Sequence, residues 1–180
     1  MPDLSALLWP KAIAVISASP DPHILRGRLM TVITSHDFKG KIYPISRSHD
    51  EVMGMQCYRS IEEVPDQVDL AVLIIPAEFI PDTLARCGKV GVKAAQILTS
   101  GFAEEGGKRG AAAQAEIRAI AECYNMAVLG PNSEGFANCA AALCPTFSPV
   151  VENTELPLLP PWHHEGHITC LLYTSEAADE

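Results

Sequence analysis

The sequence predicts an α/β fold, a doubly wound parallel sheet in three α/β/α layers, on three observations. Five short apolar runs recur along the chain. Each is continuously hydrophobic rather than alternating, the pattern of a strand covered by helices on both faces. The stretches between them carry helix signals, so the order is strand, helix, strand, as in a Rossmann-like domain.

Taken in order, "AIAVIS" at 12–17 is the first strand and empties into the small-residue turn Ser17-Ala18-Ser19. The stretch 24–36 puts Ile24, Leu25, Leu29, Val32 and Ile33 on one helical face, weakened by Gly27. "KIYPIS" at 41–46 is the second strand, and "SIEE" at 60–63 has the spacing of a capping box opening one short turn. "DLAVLII" at 69–75 is the third strand. The helix after it starts near Pro81, a favourable first-turn residue, and stops at Gly88 or Gly91. "AAQILTS" at 94–100 is the fourth strand. The Ala-, Glu- and Arg-rich segment 107–125 is a helix terminated by Asn125. "MAVLG" at 126–130 is the fifth strand. Beyond Asn138 the rhythm fails in a proline-rich stretch that reads as a linker with an edge strand.

Composition narrows the function. With 180 residues, 48% of them hydrophobic, the chain can bury one ordinary core. Its formal net charge of -9 opposes general nucleic-acid binding but leaves room for a small anion in a local pocket. The six cysteines form no C-x-x-C pair and read as reduced thiols, Cys139 and Cys144 included. No membrane span and no cleavable leader is expected, so the location is cytoplasmic. His163, His164 and His167 cluster in a Gly- and Pro-flanked segment and read as a solvated linker; no metal site is expected. Glu104 and Glu105 read as acidic residues at a helix start.

In an open parallel sheet, ligands bind outside the carboxyl ends of the strands, where the strand order reverses. The candidate residues therefore lie in the loops leaving the five strands: Ser17, Ala18 and Ser19; Ser46 and Arg47; Pro76 and Ala77; Ser100, Gly101 and Phe102; Gly130, Pro131 and Asn132. A small-residue turn lets backbone approach a phosphate, and the helix that follows favours its charge. The G-x-G-x-x-G fingerprint is missing, and Ser46-Arg47 stands where a nicotinamide enzyme would place an acidic residue. An NADP-dependent oxidoreductase is therefore the weaker alternative.

The series "PKAIAVISAS", "FKGKIYPIS", "VDLAVLIIPA", "GVKAAQILTSGFAE" and "LGPNSEGFAN" resembles the N-terminal CoA-binding domain of the NDP-forming acyl-CoA synthetases, the ADP-forming acetate-CoA ligase type, over about residues 4–148. It is similar, more distantly, to the alpha subunit of succinyl-CoA ligase. The resemblance implies that Ser17, Ala18 and Ser19 occupy the family's Gly-Ala-Ser turn on a phosphate of CoA. It puts Ser46 and Arg47 at the nucleotide end and Ile75, Pro76 and Ala77 in the Val-Pro-Ala loop. It sets Ser100, Gly101 and Phe102, with Gly130, Pro131 and Asn132, towards the pantetheine arm. Two departures stand out: Ser17 replaces the usual glycine, and residues 46–48 read Ser-Arg-Ser.

The same resemblance implies a ligase that makes acyl-CoA from a carboxylic acid, CoA and ATP through a phosphohistidine. Its ATP/ADP, Mg and catalytic histidine would belong to missing phosphohistidine and nucleotide-grasp domains or a partner subunit. The expected division is residues 1–148 as the CoA-binding domain, 149–169 as a linker and the truncated start of a second domain, and 170–180 as a non-native tail. Such a fragment binds without catalysing. The alternative is a stand-alone CoA- or nucleotide-binding module.

Overall fold

The computed structural model describes residues 3–148, Val151 and residues 168–169. In chain order the elements are α1 (Ser5–Leu8), β1 (Ala12–Ile16), α2 (Leu25–Ser35), β2 (Lys41–Ile45), β3 (Glu51–Val52), β4 (Met55–Gln56), β5 (Leu70–Leu73), α3 (Ile80–Lys89), β6 (Ala94–Ile97), α4 (Lys108–Cys123), β7 (Ala127–Leu129), β8 (Ala137–Asn138) and β9 (Ile168–Thr169). Five strands pair in parallel in the order β2-β1-β5-β6-β7. The chain runs outward from β1 to β2, then returns to β5 on the other side of β1. The order therefore reverses between β1 and β5.

The continuous hydrophobicity of the strands has a direct cause. Ile13, Val15, Leu70, Val72 and Ala94 point to one face and pack on Leu29, Met30 and Ile33 of α2. Ala12, Ala14, Ala71, Leu73, Ala95 and Ile97 point to the other, against Ile80, Leu84 and Cys87 of α3 and Ile117 of α4. The doubly wound prediction holds. Small residues on the second face let α3 and α4 lie close to the sheet, and each fully buried Leu or Ile contributes about 1.5–3 kcal/mol. Pro44 is tolerated because β2 is an edge strand, where a missing N–H breaks no central ladder.

Several local expectations need correction. Leu25 opens α2 but is 40% exposed, and Ile24 precedes the helix, so the buried face begins at Gly27 and Leu29. Gly27 is required rather than weak: a Cβ there would lie 1.8 Å from the Asp21 carbonyl oxygen. Gly88 lies inside α3 and Gly91, at φ 90°, follows its end. Asn125 takes φ 49° after α4, as a terminator should. The short turn expected after Ser60 forms, as a 3-10 helix over Ile61–Glu63, but the Ser60 side chain does not cap it: Glu63 accepts from the Arg59 N–H instead, at 3.0 Å, outside the capping-box register. The β3–β4 hairpin was not expected. Its two turn residues, Met53 and Gly54, both have positive φ (52° and 77°), the geometry of a two-residue hairpin, but Met in the first place hides the signal.

The segment after Asn138 is no free linker as far as residue 148. Leu143 and Cys144 are fully buried, and Asn138 pairs with Leu143 in both directions. β9 pairs antiparallel with β8. His163, His164, His167 and the tail 170–180 lie outside the described residues.

Candidate functional site

The predicted strands at 69–75 and 94–100 end earlier than their hydrophobicity suggests, at Leu73 and Ile97, because the chain peels away from the sheet to form loops. Between the loops after β1, β2 and β5 lies a cavity of about 290 Å³, at the reversal of strand order. Ser17, Ala18, Ser19, Ser46, Arg47, Ile75 and Pro76 all line it.

The turn after β1 is built differently from a phosphate cradle made of backbone. The N–H groups of Ser17 and Ala18 both donate to the Ile45 carbonyl, at 2.9 and 3.0 Å, tying β1 to β2. Ser17 holds φ at 75°, a left-handed conformation that a non-glycine residue adopts at a cost of about 1 kcal/mol or more. Its hydroxyl accepts a hydrogen bond from Arg26 Nη1 at 2.8 Å. The Ser19 hydroxyl accepts from the Asp21 N–H at 3.2 Å, fixing the entry to α2.

A second loop, residues 46–50, is closed by Arg59. Its Nη1 donates to the carbonyls of Ser46 and His49, both at 3.0 Å, and its Nη2 pairs with Asp50. Arg47 on this loop is exposed and has no ion-pair or hydrogen-bond partner among the described residues. The third wall is Phe79, Thr83 and Arg86, at helical spacing along α3 and its approach. Arg86 forks onto Glu62, with both N–O distances at 2.7 Å. This fork holds the Glu62 carboxyl down to about 2, against desolvation, which pushes the other way.

Of the four guanidiniums lining the cavity, then, Arg59 and Arg86 are neutralised by Asp50 and Glu62. Arg26 and Arg47 have no carboxylate partner among the described residues. A chain of net charge -9 thus keeps a local excess of positive charge in its switch-point cavity. The same lining includes the apolar side chains of Ile45, Ile61, Ile75 and Phe79, the last 55% exposed.

The remaining predicted residues are not brought into this cavity. Ala77, Gly101 and Phe102 border a second depression, Gly130 and Pro131 a third, and Ser100 and Asn132 are exposed in the same loops. The Phe102 side chain is fully buried in the core. The N–H groups of Gly101 and Phe102 donate to Glu104 Oε1 at 2.7 and 3.2 Å, so Glu104, which with Glu105 stands in the first turn of a short 3-10 helix over Ala103–Glu105 as expected, also closes this loop; α4 begins at Lys108. Asn132, at φ 57°, donates its N–H to Thr99 at 2.9 Å, and a Cβ on Gly130 would meet the Ile97 carbonyl oxygen at 2.3 Å.

Sequence reasoning missed Arg59, Phe79, Thr83 and Arg86. The i, i+4, i+7 spacing of the last three could have revealed them as one face once the cavity was placed at the end of β5. Arg59 follows a hairpin whose turn residues gave no signal.

Residues 11–138 match the family model of a CoA binding domain. The chain is 34% identical over 161 residues to the ADP-forming acetate–CoA ligase II of Archaeoglobus fulgidus, covering 88% of this chain and 24% of that protein. It is 39% identical over 143 residues to the alpha subunit of the ADP-forming acetate–CoA ligase II of Pyrococcus furiosus, covering 79% and 31%. It superposes on the dinucleotide-forming acetyl-coenzyme A synthetase 1 of Ca. Korarchaeum cryptofilum, solved with phosphate and ADP, with a TM-score of 0.79 at 41% identity, covering 86% of this chain and 32% of that one. The chain therefore spans about a quarter to a third of the length of these relatives. With the parallel sheet, its switch-point cavity and the match over residues 11–138, the chain belongs to the CoA-binding domain family and corresponds to the N-terminal part of NDP-forming acyl-CoA ligases.

Proposed function

We propose that residues 1–148 bind the nucleotide end of coenzyme A in the cavity between β1, β2 and β5, as the CoA site of a longer ADP-forming acyl-CoA ligase. The observation that carries this reading is the pairing of two unneutralised guanidiniums, Arg26 and Arg47, with an apolar wall that includes exposed Phe79. Phosphates need the first and a purine face the second.

Size supports a divided ligand. About 290 Å³ is the low end of small-ligand pockets, roughly 300–1,000 Å³, and suits a nucleotide rather than the whole coenzyme. The pantetheine arm would run along the sheet edge past Ser100–Phe102 towards Gly130–Asn132, with the thiol furthest from the arginines. In this reading Ser17, Ala18, Ser19, Ser46, Arg47, Ile75 and Pro76 contact the nucleotide, and Ala77, Ser100, Gly101, Phe102, Gly130, Pro131 and Asn132 flank the arm.

The complete reaction converts a carboxylic acid, CoA and ATP into acyl-CoA, ADP and phosphate. ATP with Mg and a phosphorylated histidine would be handled by other domains or a partner subunit, and residues 149–169 would lead into them. The chain's own part is to bind, orient and deliver CoA. The five described cysteines are free thiols, in keeping with a reducing, cytoplasmic setting, and among the described residues no helix is long and apolar enough to cross a membrane.

Titration calorimetry on the full chain with CoA and with NADP as competitor tests the proposal. The expected result is a CoA affinity that falls about tenfold or more in R47Q, since a charge-assisted phosphate contact is worth roughly 1.5–3 kcal/mol. Binding of NADP without CoA would overturn it in favour of a nicotinamide site.

A further inference from the structure

The Ser17 position raises a physical problem that CoA binding alone does not answer. A residue in the left-handed region at a tight turn is where glycine is favoured, yet serine stands there at φ 75°. What the serine has that glycine lacks is a hydroxyl, and that hydroxyl accepts from Arg26 Nη1 at 2.8 Å. Ser17 and Arg26 both line the cavity. The turn's first two N–H groups are meanwhile spent on the Ile45 carbonyl, so they are not the groups that grip an anion there.

We propose that Ser17 is a positioning residue that holds the Arg26 guanidinium at the cavity, and that Arg26, acting with Arg47, supplies the phosphate recognition that the N–H groups of Ser17 and Ala18, already bonded to Ile45, do not. This inference rests on the CoA reading for its natural ligand but not for its chemistry, which is that of a phosphate or pyrophosphate anion. Arg26 has no carboxylate partner among the described residues, and one of its donor nitrogens is anchored on Ser17, leaving the rest of the fork for the ligand. An unanchored arginine on an exposed first turn would have to lose its rotamer freedom on binding. The hydroxyl removes part of that loss beforehand.

The experiment compares wild type, R26Q, S17A, S17G and S17N as full chains by titration calorimetry with CoA and dephospho-CoA. Thermal melts of the same proteins, with and without 10 mM inorganic pyrophosphate (a concentration on the order of what a weak anion site needs), give a second readout. R26Q is expected to weaken CoA about tenfold, and S17A and S17G about threefold, while S17G melts no lower than wild type because glycine relaxes the turn. S17N is expected to recover most of the affinity, since its amide oxygen can accept from Arg26 and asparagine tolerates positive φ. A loss for CoA alone assigns the 3′-phosphate to the pair. An equal loss for dephospho-CoA assigns the pyrophosphate. CoA binding of wild-type strength in both R26Q and S17A overturns the pair and leaves the CoA reading standing. No CoA binding by any protein, with pyrophosphate protection present in wild type and lost in R26Q, keeps the pair and overturns the CoA reading. Where no protein binds CoA, absence of that protection in wild type overturns the pair as well.

Discussion

Replacing Gly27 by alanine sets two well-characterised effects against each other. Helix propensity favours alanine in a helix interior by about 1 kcal/mol. The structure opposes it: a Cβ at Gly27 falls 1.8 Å from the Asp21 carbonyl oxygen, 2.4 Å from its carbon and 3.1 Å from the Pro22 nitrogen. All three are backbone atoms, so no side chain can rotate out of the way. Reaching ordinary contact means displacing the Asp21–Pro22 backbone by roughly 1.5 Å. That backbone is pinned by the Asp21 N–H on the Ser19 hydroxyl and by the Ile24 N–H on the Asp21 carbonyl. Overpacking of this kind costs about 1–3 kcal/mol in a core and sits at the upper end against a pinned main chain. The net expectation for G27A is destabilisation of about 1–2 kcal/mol, or a melting temperature lower by about 3–6 °C for a domain of this size. Circular-dichroism melts and urea titrations of the full chain measure it. A G27A protein as stable as wild type, or more so, would refute the steric reading and leave propensity in control.

Other consequences follow from the cavity walls. The Glu62 carboxyl is held at about 2 by the Arg86 fork, below its ordinary 4.5, so the pair's stabilisation is complete above pH 4.5 and fades as pH falls towards 2. E62Q is therefore expected to be less stable than wild type by about 1 kcal/mol at pH 6, the small value proper to a partly exposed pair, with the gap shrinking below pH 4.5 and closing only as pH reaches the folded value of about 2; a gap that widens in acid contradicts the assignment. For F79A, a side chain 55% exposed at the cavity rim, the expectation is about tenfold weaker CoA binding by calorimetry, from lost stacking on the base, with an unchanged melting temperature. A lowered melting temperature with intact affinity would make Phe79 a structural residue instead.

The layers of this fold were legible because burial on both faces forces unbroken apolar runs such as Ala12–Ile16 and Leu70–Leu73, whatever the helices turn out to be. Helix endings at Gly91 and Asn125 were legible too, through their positive φ. What was not legible depends on approach between segments. Gly27 and Gly110 each stand third in a helix, and each would thrust a Cβ into the carbonyl of the incoming loop, Asp21 in one case and Phe102 in the other, at 1.8 and 2.0 Å. Composition alone counts such glycines as helix weaknesses. The lining of the cavity divides in the same way: the placement of Ser17, Ser46 and Arg47 beside it was legible because strand ends are local features. Arg59 and Arg86 act through partners nine and twenty-four residues away, Asp50 and Glu62, which no short motif records.

Those long-range pairs also decide which charges meet a ligand. Arg59 closes the 46–50 loop through two carbonyls and a carboxylate, so diverting it to a phosphate would open the wall it builds. Arg86 is committed to Glu62 by two hydrogen bonds in a planar fork, the geometry that a phosphate would otherwise use. In the proposed site a ligand anion therefore falls on Arg26 and Arg47, whose charges oppose the rest of the molecule. Within a Debye length of about 8 Å of the surface the net charge of -9 repels polyanions, whereas inside the cavity two uncompensated cations attract a small one. A long phosphate polymer would have to lie across that acidic surface, and a single phosphorylated nucleotide would not. The charge distribution thus selects by ligand size as well as by sign, the discrimination that the proposed coenzyme site requires.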